Sequence, residues 1–172
     1  MFQNVFLPEG GASAFALTQA AVQAVTADDP VLVALPSGSR IPQGTLELAA
    51  AAANRGVIAV VAIRAASPQP GRACLRAPRG YVDAFVAEPD AATARACFEA
   101  GYLWSAGIFA VRASVWIEAV GCLRPELLRA CGRGELAGAA PESIERAVME
   151  GFSEAGVEAA VVLLDDALRE AA

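Results

Sequence analysis

"VLVALPSGSRIPQGTLELAAAAANRGVIAVVAIR", residues 31–64, is the stretch that decides the fold class. Its ends, VLVALP (31–36) and VIAVVAIR (57–64), are continuous apolar runs of strand length, of the kind buried on both faces of a parallel sheet. Between them Ser37-Gly38-Ser39 reads as a loop, and "GTLELAAAAANR" (44–55) as a helix that gives way at Gly56. The alanines at 49–53 suit close packing of that helix on a sheet.

On the N-terminal side, "NVFL" (4–7) predicts a short strand and "ASAFALTQAAVQAVT" (12–26) an Ala-rich helix ending before the "ADDP" turn. The pattern is then βαβαβ, which calls for helices on the sheet faces and right-handed crossovers. On the C-terminal side, residues 65–80 hold three prolines, two glycines and three arginines, and read as an irregular excursion or a short hairpin. "YVDAFVAEP" (81–89) alternates like a half-exposed strand, and a helix over 90–100 follows with Asp90 as its cap. "GYLWSAGIFAVRAS" (101–114) predicts a strand of about 102–112, after which Ser114 opens a helix to about 121. Short helices are expected at 124–131 and at 141–152, where Pro141 suits a first turn; "EAAVVLLD" (158–165) closes the sheet, and "DALREAA" trails off as a short helix or frayed end. The expected fold is α/β, one domain over 1–172 with a mainly parallel sheet and helices on both faces.

A hydrophobic fraction of 56% beside 19% charged residues suggests that another copy or another chain covers part of the apolar surface. Net charge is −6 and the thirteen basic residues are scattered, so a nucleic-acid face is not expected. The chain has no histidine, which excludes Ser-His-Asp and Cys-His chemistry. Cys74, Cys97, Cys122 and Cys131 form no C-x-x-C pair and read as small buried apolar residues of a reducing cytoplasm rather than zinc ligands. No long uninterrupted apolar run predicts a membrane span, and "MFQNVFLPEGG" lacks the features of a secretory leader, so a cytoplasmic protein is expected.

In open α/β sheets ligands bind at the carboxyl ends of strands, here the loops after residues 36, 64, 88 and 165. "LPSGSRI", "FVAEPD", "GYLWSAGIFAVRAS", "PESIERAVME" and "VVLLDD", in this order, resemble successive blocks of the mannose-1-phosphate guanylyltransferase family, sugar-nucleotide pyrophosphorylases of nucleotidyltransferase fold. "FLPEGGASAFAL" resembles the family's block around a Glu-Pro and an Arg-Asn-Thr-Ala-Pro. The resemblance implies a partial nucleotidyltransferase, Rossmann-like, domain without the family's Gly-rich phosphate loop. It implies substrate-contacting positions at Glu88, Trp104, Ser105, Gly107 and Glu145. Trp104, Gly107, Phe109, Ser143, Ile144, Ala147, Val148, Met149 and Glu150 match the family blocks.

Elsewhere the polar positions depart from the pattern. Gly38 stands where the family has a Mg²⁺-binding Asp, and Ser39 where a His usually follows. Ala87 and Glu88 replace a Glu-Lys pair at the sugar phosphate, Ser105 replaces an Asn, Gly11 and Ala12 replace Arg-Asn, and Leu7 replaces a Glu. Asp165 and Glu170 are possible residual carboxylates, Glu170 falling at the family's second metal-binding Asp. No catalytic, cofactor or metal residue is assigned.

The expectation is a catalytically inactive nucleotidyltransferase-like protein acting as an assembly, structural or regulatory module, as a homo-oligomer or with a protein partner covering the sheet edge. The alternative is GTP-dependent guanylyl transfer to mannose 1-phosphate with Mg²⁺, completed by a partner chain. Tyr102, Trp104 and Phe109 then serve either as packing alone or as walls of a residual pocket. Asp28-Asp29 reads as turn chemistry and Asp165-Asp166 as a weak site. Arg64, Arg72, Arg76 and Arg79 read as a solvated loop, an acidic-partner interface or an anion patch.

Overall fold

The computed structural model describes residues 2–7, 13–25, 28–133 and 142–164. Strand β1 spans Phe2–Leu7, helix α1 Ser13–Ala24, β2 Val31–Pro36, α2 Gln43–Ala53 and β3 Ile58–Ile63. A hairpin of β4 (Cys74–Arg76) and β5 (Ala84–Val86) leads to α3 (Ala91–Glu99), β6 (Leu103–Arg112), α4 (Ala113–Leu123) and α5 (Pro125–Arg133). A π-helical turn at Glu145–Met149 precedes β7 (Ala159–Leu163).

The sheet is ordered β1-β2-β6-β3-β7, with β4 and β5 extending from β6. β1, β2, β3 and β7 run one way and β6 runs against all three strands it pairs with, β2, β3 and β4, so the sheet is mixed with mostly parallel strand directions. The two apolar runs that decide the class are thus co-directional but not adjacent, because β6 lies between them. Its side chains explain this position. Phe109 and Val111 join Leu32, Ala34 and Val60 in one core layer, while Ile108 and Ala110 join Val31, Val33, Ala59 and Val61 in the other. A strand apolar on both faces is stabilised most where both faces are covered.

Helices α1, α4 and α5 cover the first layer, and α2 covers the second through Ala49, Ala50 and Ala53. The buried Trp116 indole NH donates to the Thr18 hydroxyl at 2.9 Å, and that hydroxyl donates to the Ala14 carbonyl at 2.7 Å. This joins α1 to α4 and leaves neither polar group unsatisfied.

Helix boundaries follow local capping. Asp90 caps α3 by accepting from the Thr93 amide at 2.8 Å, as expected. Helix α4 begins one residue before the expected Ser114, and its cap comes from outside the segment. The Asp29 carboxylate accepts from the Ser114 amide at 2.8 Å and hydroxyl at 2.7 Å, and pairs with Arg112 at 3.3 Å. Asp29 has a φ of 39°, in keeping with the turn expected there.

The excursion at 65–80 closes as half of the β4/β5 hairpin, and only residues 84–86 of the expected 81–89 strand pair in it. Tyr81 instead bridges to Ala160 beside β7. The helix expected at 141–152 is a π-helical turn, and Pro141, "DALREAA" and Asp165-Asp166 lie outside the described residues. No helix among the described residues is long and apolar enough to cross a membrane.

Candidate functional site

Strand β6 changes register against β3 between Val61 and Ala62: Val61 pairs with Ile108, but Ala62 pairs with Ser105. The skipped residues, Ala106 and Gly107, form a bulge, and Gly107 adopts a φ of 73°. A Cβ there would lie 3.6 Å from the Pro36 ring, an ordinary contact, so conformation rather than space calls for glycine. Bulges re-aim side chains next to binding sites. Here the bulge turns Ser105, Ala106 and Gly107 into the wall of a cleft of about 310 Å³.

Three other segments complete that cleft: Arg72 and Ala73 before β4, Ala87 and Glu88 after β5, and Ser143 and Glu145 around the π-helical turn. Hydrogen bonds fix the walls to one another. The Ser105 amide donates to the Ala73 carbonyl at 2.9 Å, and the Gly107 amide donates to the Ser105 hydroxyl at 3.0 Å. The Ala87 amide donates to the Glu150 carboxylate at 3.2 Å, which ties the β5 end to the π-helical turn. That turn is itself anchored where it begins. The Ile144 amide donates to the buried Ser13 hydroxyl at 3.1 Å, and Arg124 grips Glu142 at 3.1 Å.

Two carboxylates define the electrostatics. Burial holds the Glu145 carboxyl above its ordinary range, and the negative charge of Glu88 adds to this, against the Glu145 amide and the Ser143 hydroxyl. Glu88 meets Arg146 at 3.7 Å with both side chains more than half exposed, so the pair contributes little stability. The cleft therefore offers carboxylate and hydroxyl acceptors, with Arg72 as its lining cation.

No protein-family model matches the chain. It is 34% identical over 135 residues to the xanthan biosynthesis protein XanB of Xanthomonas campestris, covering 72% of this chain and 29% of that protein. It is 36% identical over 126 residues to the alginate biosynthesis protein AlgA of Pseudomonas aeruginosa, covering 64% of this chain and 26% of that one. The chain thus spans less than a third of the length of these curated relatives. Among solved structures, one titled a mannose-1-phosphate geranyltransferase from Thermus thermophilus aligns with a TM-score of 0.70 at 23% identity, over 92% of this chain and 52% of that chain. Over the part it spans, the chain is related to these xanthan and alginate biosynthesis proteins, in keeping with its resemblance to the mannose-1-phosphate guanylyltransferase family. The fold is shared more widely. A Helicobacter pylori structure titled mannose-6-phosphate isomerase aligns with a TM-score of 0.80 at 18% identity, over 93% of this chain and 71% of that chain.

Of the positions implied by the guanylyltransferase resemblance, Glu88, Ser105, Gly107 and Glu145 all line the one cleft. Trp104 does not. It is fully buried behind the sheet with Cys74, Ala94 and Cys97, and its indole NH has no hydrogen-bond partner among the described residues. Alternation along β6 sends its ring to the face opposite Ser105. Phe109 is in the main core, and Tyr102 packs on the Trp104 cluster, so these rings pack rather than line the cleft. Gly38 lies in the turn after β2 with a φ of 80°. Asp165, Glu170, Gly11 and Ala12 lie outside the described residues.

The arginines of the 65–80 segment are divided: Arg76 pairs with Asp83 at 2.8 Å, and Arg72 faces the cleft. On sequence alone Arg72 belongs only to that patch, and Ser143 only to a block that matches the family. Both belong to the site because the β4/β5 hairpin and the π-helical turn fold over the β6 bulge. Three cysteines are buried as expected, whereas Cys122 is exposed on α4.

Proposed function

We propose that this chain is a nucleotidyltransferase-like module that performs no nucleotidyl transfer of its own, keeps a cleft suited to sugar hydroxyls, and acts in assembly or regulation. The observation that carries this reading is the pairing of Glu88 with Glu145 on one cleft. Carboxylates accept hydrogen bonds from hydroxyl groups, but they repel a phosphate held a few ångströms away. The resemblance implies a Lys at the position of Glu88 and a metal-binding Asp at that of Gly38, and both replacements remove what a sugar phosphate and Mg²⁺ would need. A second copy or a protein partner would cover the edge beside β7, where Leu48, Tyr81 and Leu163 are exposed. The same reading assigns the protein to the cytoplasm.

The kinship itself favours a second reading: guanylyl transfer from GTP to mannose 1-phosphate with Mg²⁺, completed by a partner chain. Binding separates the two readings in one titration series, because a chain that needs a partner for turnover would still bind its sugar phosphate more tightly than the free sugar. Mannose, mannose 1-phosphate and GTP are titrated with and without Mg²⁺, and GDP-mannose formation is followed in parallel. The first reading expects mannose 1-phosphate to bind no more tightly than mannose, with no product at any Mg²⁺ concentration. Mg²⁺-dependent product would overturn it.

A further inference from the structure

Cys74 and Cys97 are 23 positions apart in sequence, yet their sulfurs meet at 2.8 Å in the small cluster around Trp104. Cys74 opens β4, and its register partners are Val86 on β5 and Trp104 on β6. The residues next to these three in sequence, Ala73, Ala87 and Ser105, line the cleft. Cys97 lies on α3. The sulfur pair therefore stands directly behind the cleft wall, between a strand that forms the wall and the helix that backs it. The other two cysteines are placed differently: Cys122 is exposed, and the Cys131 thiol faces the Phe15 carbonyl at 3.8 Å.

We propose that Cys74 and Cys97 are a reversible redox site, closing to a disulfide by exchange with a low-molecular-weight disulfide and thereby tying β4 to α3 behind the cleft. Cys97 is 6% exposed and Cys74 fully buried, so Cys97 reacts first. Its thiolate attacks one sulfur of the small disulfide RSSR, forming a Cys97–SR mixed disulfide and releasing RS⁻, which takes up the Cys97 proton. The Cys74 sulfur then attacks the Cys97 sulfur, the S–SR bond breaks, and the second RS⁻ takes up the Cys74 proton. Two protein thiols are oxidised, and one RSSR is reduced to two RSH. Burial, with Cys97 adjacent, pushes the Cys74 thiol up to about 12, which disfavours it as the first nucleophile.

The test equilibrates the whole chain in glutathione buffers from fully reduced to fully oxidised, alkylates remaining thiols in denaturant, and maps the peptides by mass spectrometry. The expected result is loss of alkylation at Cys74 and Cys97 together, a peptide pair linked through these residues and lighter by two hydrogens, and full reversal by dithiothreitol. Trp104 fluorescence should fall in the same step, because the new disulfide adjoins the indole. Cys122, being exposed, reports that the oxidant is active. The proposal is overturned if Cys74 and Cys97 both remain alkylatable in oxidised glutathione while Cys122 is modified, or if glutathione stays on Cys97 without the cross-link. The mapping uses the unaltered chain, so it does not depend on a variant folding. In Cys97→Ala the fluorescence change should be absent and Cys74 should stay alkylatable.

Discussion

Glu88 and Glu145 reach one cleft from different segments, one just after β5 and one at the start of the π-helical turn, and the charge of the first adds to burial in raising the carboxyl of the second. Because the folded-state value of Glu145 is raised above its ordinary 4.5, its contribution to stability is complete below that pH. It is lost as pH rises through the folded value. Glu145→Gln should therefore stabilise the protein at pH 7 and have little effect at pH 4, since the protonated acid and the amide are alike in shape and charge. Urea unfolding at the two pH values checks this; an equal effect at both would refute it.

Reversing the charge at the cleft should change what it binds. Glu88→Lys removes a carboxylate and leaves cations at positions 72, 88 and 146. Affinity for mannose 1-phosphate should rise at least about tenfold, or ~1.4 kcal/mol, while that for mannose stays level. Calorimetric titration of both sugars measures the difference, and the gain should shrink in high salt.

Gly107→Ala tests the bulge. With an ordinary contact to Pro36 and a φ of 73°, the substitution meets conformational strain rather than a clash. The expected loss is about 1–2 kcal/mol of unfolding free energy. Ser105 accepts from the Gly107 amide, so sugar binding should weaken with it. Thermal and chemical denaturation give the first number and titration the second.

Asp29 makes an acid-sensitive joint between the turn before β2 and the start of α4. Burial alone would raise its carboxyl, but the Ser114 hydroxyl and amide and the Arg112 guanidinium outweigh this and lower it below the usual 3.8. Its stabilisation is thus present above that pH and is lost as pH falls through the lower folded value. Asp29→Ala should cost about 1–2 kcal/mol at pH 7. The gap from the unaltered protein should narrow below pH ~3, as protonation removes the native advantage.

How much of this was legible in the sequence depends on the range of the interaction concerned. VLVALP matches β2 in full, and Asp90 caps α3, because an apolar run and a cap are encoded within a few residues. The place of β6 between β2 and β3 was not legible, since a strand apolar on both faces says that it is buried but not beside which strands. The cleft was found in part: Glu88, Ser105, Gly107 and Glu145 sit in the family blocks, but Trp104 turns away because neighbours in a strand face opposite sides. Arg72, Ser143 and the Cys74–Cys97 contact depend on the hairpin and the π-helical turn meeting β6 in space. No local periodicity reports such meetings.

The central position of β6 also sets an order of events during synthesis. β1 and β2 can pair as soon as both have left the ribosome, but β2 and β3 are joined only through β6, once residues 103–112 emerge to lie between them. Until then β3 presents a free, wholly apolar ribbon, and β7 at 159–163 arrives later still to cover its far side. A nascent chain of this design depends on its late-made middle strand, so a pause in translation just before residue 103 is the moment at which it is most exposed to chaperones and to aggregation.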